Sequence, residues 1–149
     1  MAQNIGLSLP FSPRWVYRPY NVGSFVLPPG TSRKICEIRK NGYVLLAGCS
    51  LDDLLVEAHL ELETGEDLYE AAFNTGMLLA GGLTRPQCQG WWVSNNLPLV
   101  PLFVVQFTPA QWYPFYRMFR FSIQNPATNP RSATINQVNV LAIEFKEPT

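Results

Sequence analysis

The stretch "LLVEAHLELE", Leu54 to Glu63, decides the fold class. Leu54, Val56, Ala58, Leu60 and Leu62 alternate with Leu55, Glu57, His59, Glu61 and Glu63. A period of two, with one apolar and one mostly charged face, marks a strand with one side packed and one side wet. A helix would scatter these carboxylates around its circumference. The same alternation recurs downstream. Phe103, Val105 and Phe107 alternate with Leu102, Val104 and Gln106, and Phe119, Phe121 and Ile123 with Arg120, Ser122 and Gln124. The long segment Thr134 to Lys146 changes phase near Gln137, as a β-bulge does. It then sets Leu141, Ile143 and Phe145 against Ala142, Glu144 and Lys146, a half-buried strand. Phe103, Phe107, Phe119 and Phe121 are therefore expected in the core.

Other segments fit around these. "GYVLLAGCS" (Gly42–Ser50) reads as a buried strand, and Ile35 to Arg39 as a short strand before Asn41-Gly42, a hairpin signal. "GWWVSN" reads as the start of another strand. "EDLYEAAF" (Glu66–Phe73) is the one candidate helix. Leu68, Tyr69, Ala72 and Phe73 share a side, acids sit in the first turn, and Gly76 follows. "PAQWYPF" and "NPATNPRS" are breaks. Seven or eight strands with at most one short helix predict an all-β fold, an antiparallel β-sandwich of jelly-roll type over residues 33–149. Residues 1–32 have no period, and Pro10, Pro13, Pro19, Pro28 and Pro29 keep them extended. They read as an extended N-terminal arm or an irregular cover strand.

The chain has 149 residues, of which 47% are hydrophobic and only 15% charged. That composition is globular, and its low charge favours association. No secretory leader and no membrane-spanning run is expected. Cys36, Cys49 and Cys88 have no paired spacing and read as reduced, largely buried thiols. Net charge is zero, yet the charges are segregated. Arg14, Arg18, Arg33 and Lys34 precede any acid, whereas Asp52 to Glu70 carries eight acids and no base. A cationic arm and an acidic strip suit contacts between copies or with another protein. Nucleic acid is not an expected partner, because scattered arginines beside an acidic strip make no basic groove.

Little in the chain promises chemistry. His59 lies between Glu57 and Glu61 on one strand face, with residues two apart about 6.5–7 Å from each other. No second histidine exists to complete a metal site, so His59 reads as a solvent-facing side chain beside carboxylates. Asp52 and Asp53 read as solvent-facing turn residues. No nucleophile motif or phosphate loop occurs. The chain is thus read as non-enzymatic, with no cofactor, metal or small-molecule ligand implied. An unrecognised carboxylate pair is the least favoured alternative. The residues singled out as partner contacts are Phe11, Arg14, Trp15, Tyr17, Arg18, Tyr20 and Phe25 in the arm. Trp112, Tyr113 and Tyr116, in or beside the "PAQWYPFY" loop, are candidate surface aromatics that either stack on a sugar or anchor an interface.

Four stretches, "GYVLLAGCSLDD…LEL", "GLTRP…GWWVSNN", "LFVVQFTPAQWYPFYRMFRFSIQNP" and "ATINQVNVLAIEFK", carry a resemblance. Their order of strands, acidic turn and proline-marked turns resembles small β-sandwich virion structural proteins of tailed bacteriophages, over roughly residues 42–146. The resemblance implies a capsid decoration or cement protein, or another head, neck or tail component. Such a protein is assembled in the host cytoplasm, located in the virion, homo-oligomeric or bound to other virion proteins, and needs no catalytic residues. The rival expectation is a carbohydrate- or receptor-binding jelly-roll module using Trp112 and Tyr113.

Overall fold

A computed structural model of the chain describes residues 14–63, 67–74, 90–95, 103–108 and 112–146, with backbone alone at 69, 71, 73, 90–95 and 103–108. The described residues form strands and no helix. In chain order these are β1 (Trp15–Val22), β2 (Phe25–Leu27), β3 (Thr31–Ile38), β4 (Gly42–Leu51), β5 (Glu57–Glu63), β6 (Leu68–Asn74), β7 (Gly90–Asn95), β8 (Phe103–Thr108), β9 (Tyr113–Phe115), β10 (Phe119–Asn125) and β11 (Ala133–Phe145). One sheet has the order β1-β11-β4-β8-β7, with β2 also on β11 and β9 also on β4. The other has the order β3-β10-β5-β6. Every pairing is antiparallel.

The topology follows from one rule. With the accessory strands β2, β7 and β9 set aside, the first strand pairs with the last, the second with the second last, and so inward. The pairs are β1 with β11, β3 with β10, β4 with β8, and β5 with β6. Successive pairs fall on alternate sheets. This is a long antiparallel ribbon folded at β5–β6 and rolled up, the winding of a jelly roll.

The alternation read from the sequence builds the core between the sheets. Ala58, Leu60 and Leu62 from β5 meet Phe119, Phe121 and Ile123 from β10 in one buried cluster. Opposite them come Val44, Ala47, Cys49 and Leu51 from β4, and Val138, Val140 and Ala142 from β11. The expected bulge is present as a register shift between Ile135 and Gln137. Cys36 and Cys49 are free and buried, and desolvation pushes both thiols up to about 12. They are therefore neutral and unreactive in the folded protein. Cys88, Phe11 and the side chains of Trp91, Trp92, Phe103 and Phe107 lie outside what is described.

The structure corrects several expectations. The stretch Glu66–Phe73, read as the candidate helix, supplies instead most of β6 (Leu68–Asn74), because Tyr69, Ala71 and Phe73 fall opposite the inward residues Leu62, Leu60 and Ala58 of β5. Pairing along a whole strand overrides a weak local helix preference. The Leu54–Glu63 strand starts at Glu57, and Leu54 and Leu55 form an exposed turn. Asp53 is buried rather than solvent-facing: its Oδ1 accepts the Leu55 amide at 2.8 Å and its Oδ2 lies 3.5 Å from Arg131. Asn41-Gly42 does not close a hairpin. Ile38 ends a strand of one sheet and Gly42 opens a strand of the other, so the chain crosses the sandwich there.

From Trp15 onward the expected arm is part of the sandwich. β1 pairs with β11 over eight residues, and Leu27 of β2 belongs to the core. Pro19 is tolerated for a geometric reason. Lys146 donates its amide to the Arg14 carbonyl at 2.7 Å, which sets the phase of the ladder. Bonded pairs then fall on Val16, Arg18, Tyr20 and Val22. Pro19, opposite Leu141, has its nitrogen on the free side of an edge strand, where no donor is needed.

Candidate functional site

A jelly-roll sheet normally turns polar residues outward, but the outer face of the β1 sheet does not. On β11, Val138, Val140 and Ala142 point to the core, which leaves Leu141, Ile143 and Phe145 on the other face. These last three were expected to be the packed side of a half-buried strand. A second register shift, between Leu141 and Ala142, accommodates the extra residue Leu45 in β4 and lets Tyr43 stand opposite Ile143. Tyr17 stands on the other flank of Ile143, and Trp15 opposite Phe145. Ile143 is wholly buried in this outer layer.

Four rings from four separate elements converge above it. Trp15 stacks on Phe145 at 6.3 Å between centroids and meets Trp112 edge-on at 5.9 Å. Tyr43 meets Phe145 edge-on at 5.2 Å and Trp112 at 6.0 Å. Such geometry is attractive beyond area burial, by about 0.5–1.5 kcal/mol per pair. Arg14 and Lys146, both exposed, flank the Trp15–Phe145 pair.

Beside this cluster opens a hollow of about 450 Å³, lined by Asn41, Gly42, Tyr43, Tyr113, Pro114, Phe115, Tyr116 and Phe145. Its rim is built where the chain crosses between the sheets after β9. β9 belongs to one sheet and β10 to the other, and Tyr116, Arg117 and Met118 join them. Tyr116 donates its amide to the Glu63 carbonyl at 2.7 Å, and Glu63 donates to the Met118 carbonyl at 3.1 Å. Arg117 has φ of 72°, and its amide donates to Asn41 Oδ1 at 3.0 Å. Its guanidinium lies 4.9 Å from the centroid of the Tyr116 ring. Among the described residues, Arg117 is ion-paired to no carboxylate.

The outer face of the other sheet is polar and its charges are largely matched. Arg120 bonds Glu61 and, at 3.2 Å, Glu37. Glu37 also meets Arg39 at 3.1 Å and Lys34 at 3.6 Å. His59 Nε2 and Glu57 Oε2 are 2.9 Å apart. Among the described residues no three His, Cys, Asp or Glu side chains form a group able to hold a metal.

At the sandwich edge, Glu144 bonds Arg18 and Lys40, each at 3.0 Å. Desolvation alone would raise its carboxyl, but the hydrogen bonds and charges of Lys40 and Arg18 outweigh it and hold the pKa below the ordinary 4.5. A depressed carboxylate stabilises the fold fully above its unfolded pKa, and loses that contribution as pH falls through the folded value. The melting temperature of the wild type should therefore drop as pH is lowered from about 6 to about 3. Lys40→Met should start lower near neutrality and drop less. Equal slopes for the two proteins would show that the Lys40–Glu144 pair contributes nothing to acid sensitivity.

The structure thus brings Trp15 and Trp112 together, with Tyr113 and Tyr116 in the adjoining hollow. Arg14 and Tyr17 sit nearby on β1 or at its start. Arg18 is engaged with Glu144 instead of the acidic strip. Tyr20 and Phe25 pack against the core, Tyr20 with its phenol pKa raised chiefly by burial and Phe25 under the Arg33 guanidinium at 4.3 Å. Sequence reasoning missed Tyr43, Phe145, Asn41 and Arg117. Tyr43 hides in an apolar run, where the extra residue Leu45 leaves no mark in the pattern, and Phe145 faces outward because the alternation of β11 runs unbroken from Val138, which puts Ala142 rather than Ile143 on the core side. A scan against protein-family models and a search of curated proteins find no match to this chain.

Proposed function

We propose that the chain is a non-enzymatic structural protein of a phage virion, of the decoration or cement kind or another head, neck or tail component. In this reading it docks on neighbouring subunits through the outer aromatic face. The observation that carries the reading is the Trp15–Tyr43–Trp112–Phe145 cluster on a sheet face turned away from the core. Buried aromatics are the usual anchors of protein interfaces. The jelly-roll winding adds support by analogy, since viral shell proteins use it, as do lectins.

The occupant proposed for that face is a second copy of this chain. Arg14 and Lys146 flank the rings, whereas the edge strand β6 offers exposed Leu68 among Glu63, Asp67 and Glu70. An aromatic, cationic surface and an apolar, acidic one on different sheets suit a head-to-tail contact, which closes into a ring or propagates. Sedimentation velocity over a concentration series tests this. Wild type should form oligomers, and Trp15→Ser or Leu68→Glu should return it to monomer with the fold retained. A wild type that stays monomeric to its solubility limit, or oligomers indifferent to both substitutions, would sink the reading.

A second reading, a carbohydrate-binding jelly roll, is favoured by the hollow. Tyr43, Tyr116 and Phe145 line, with Pro114 and the core-packed Tyr113, a space of about 450 Å³, within the usual range for ligand sites. Tyrosine and phenylalanine faces suit the apolar side of a pyranose, and phenols and the Asn41 amide suit its hydroxyls.

A further inference from the structure

We infer that the hollow beside β9 takes an acidic saccharide, a pyranose carrying a carboxylate, with Arg117 as the group that selects the acid. The inference rests on the carbohydrate reading of the same hollow and adds the charge of its ligand. Two independent observations carry it.

The first is position and pairing. Tyr116 lines the hollow, and the exposed Arg117, itself outside the lining, holds its guanidinium 4.9 Å from the centre of that ring, so a positive charge stands one ring away from the hollow. Arg18, Arg39, Arg120 and Arg131 all have carboxylate partners. Among the described residues Arg117 has none, as Arg33 has none, and its five N–H donors keep their capacity for a ligand. A planar guanidinium receives a carboxylate through two parallel hydrogen bonds, so it reads the acid group by shape as well as charge. The tyrosine faces alone would take neutral and acidic pyranoses alike.

The second is the backbone. At φ of 72° a glycine would be unstrained, whereas a side chain with a Cβ is disfavoured. Arginine nevertheless occupies the position, and Asn41 Oδ1 holds its amide in that conformation. Strain of this kind persists where the surroundings over-determine it, and it clusters at ligand clamps. Asn41 lines the hollow and also fixes Arg117, so the site and the strained residue form one unit.

The experiment titrates the full chain with a glucuronic acid tetrasaccharide and with the matching glucose tetrasaccharide, following binding by calorimetry and stability by thermal melting. Wild type should bind the acidic sugar about tenfold more tightly or better, the scale of one charge-assisted contact. Arg117→Gly should lose that preference, the ratio of the two affinities falling to about one, and melt a few degrees higher because the strain is relieved. Arg117→Lys should retain part of the preference. Equal binding of the two sugars by wild type, or a preference that survives Arg117→Gly, overturns the acid inference and leaves the carbohydrate reading standing. If neither sugar binds, or if Tyr116→Ala leaves binding of both unchanged, the carbohydrate reading of the hollow falls and the inference falls with it.

Discussion

Replacing Gly42 by alanine should destabilise the protein by about 3 kcal/mol, the upper end of what overpacking costs. Few single methyl groups have that effect. A Cβ at this position would sit far inside van der Waals contact distance of the Ile143 carbonyl oxygen and 2.6 Å from the Phe115 ring. The oxygen belongs to the backbone of β11, which is paired on both sides, so it has no easy direction in which to yield. Phe115 is itself stacked on Phe119, at 5.4 Å between centroids, in the core. The clash therefore strains β4, β9 and β11 together at the point where the chain changes sheets. Chemical denaturation of Gly42→Ala and of Gly23→Ala would measure it. Gly23 has open space around it and serves as the control. A Gly42→Ala loss no larger than that of the control would show that the crossing is looser than its geometry implies.

Asn125→Ala should cost a similar amount, about 3 kcal/mol, by a different mechanism. Asn125 is fully buried and its amide nitrogen donates to the carbonyls of Leu27 and Arg131, each at 2.9 Å. Its side-chain oxygen accepts from Asn129 Nδ2 at 2.9 Å, and its own carbonyl accepts the Gly30 amide at 2.8 Å. Asn129, also fully buried, accepts the Arg131 amide at 3.2 Å. Truncation leaves two carbonyls and one amide without partners, each orphan costing about 1–3 kcal/mol with partial relief from relaxation. Asn125→Asp should be no better, since a carboxylate cannot donate to the two carbonyls. Urea unfolding of both variants and of exposed Asn139→Ala decides the point. Near-wild-type stability for Asn125→Ala would mean that the network is dispensable.

The strands were legible where one face packs and the other is wet, because that contrast writes a period of two into the residues. Val56 to Leu62 and Phe119 to Ile123 lie where the alternation puts them. The β6 strand was misread because Leu68, Tyr69, Ala72 and Phe73 satisfy a short helical period as well as an extended one, and only the partner strand distinguishes them. Asn41-Gly42 carries the residues of a tight turn, but glycine is needed there for closeness to Ile143, a contact with a residue 101 positions away. The aromatic face was half legible. Trp15 and Trp112 stood out as aromatics outside any apolar period. Tyr43 and Phe145 did not: the extra residue Leu45 that sets the face of Tyr43 is seen only against the paired strand, and the small Ala142 gives no sign that its side of β11 is the packed one. Arg117 carried no signal at all, because backbone conformation at a single residue is set by the crossing it completes.

The nested pairing has a consequence for how the protein is made. Synthesis delivers Trp15–Val22 first and its partner, Val138–Phe145, last. Among the described strands the successive pairs β5–β6 and β7–β8 can close early, whereas the outermost pair must wait until β11 has left the ribosome. During that wait the apolar residues of β1 and β4 have no native neighbour, which exposes them to mispairing with other nascent chains. Contacts this distant in sequence also make closure slow. Expression at reduced temperature, or with holding chaperones in excess, should therefore raise the soluble yield of this protein more than that of a helical protein of equal length.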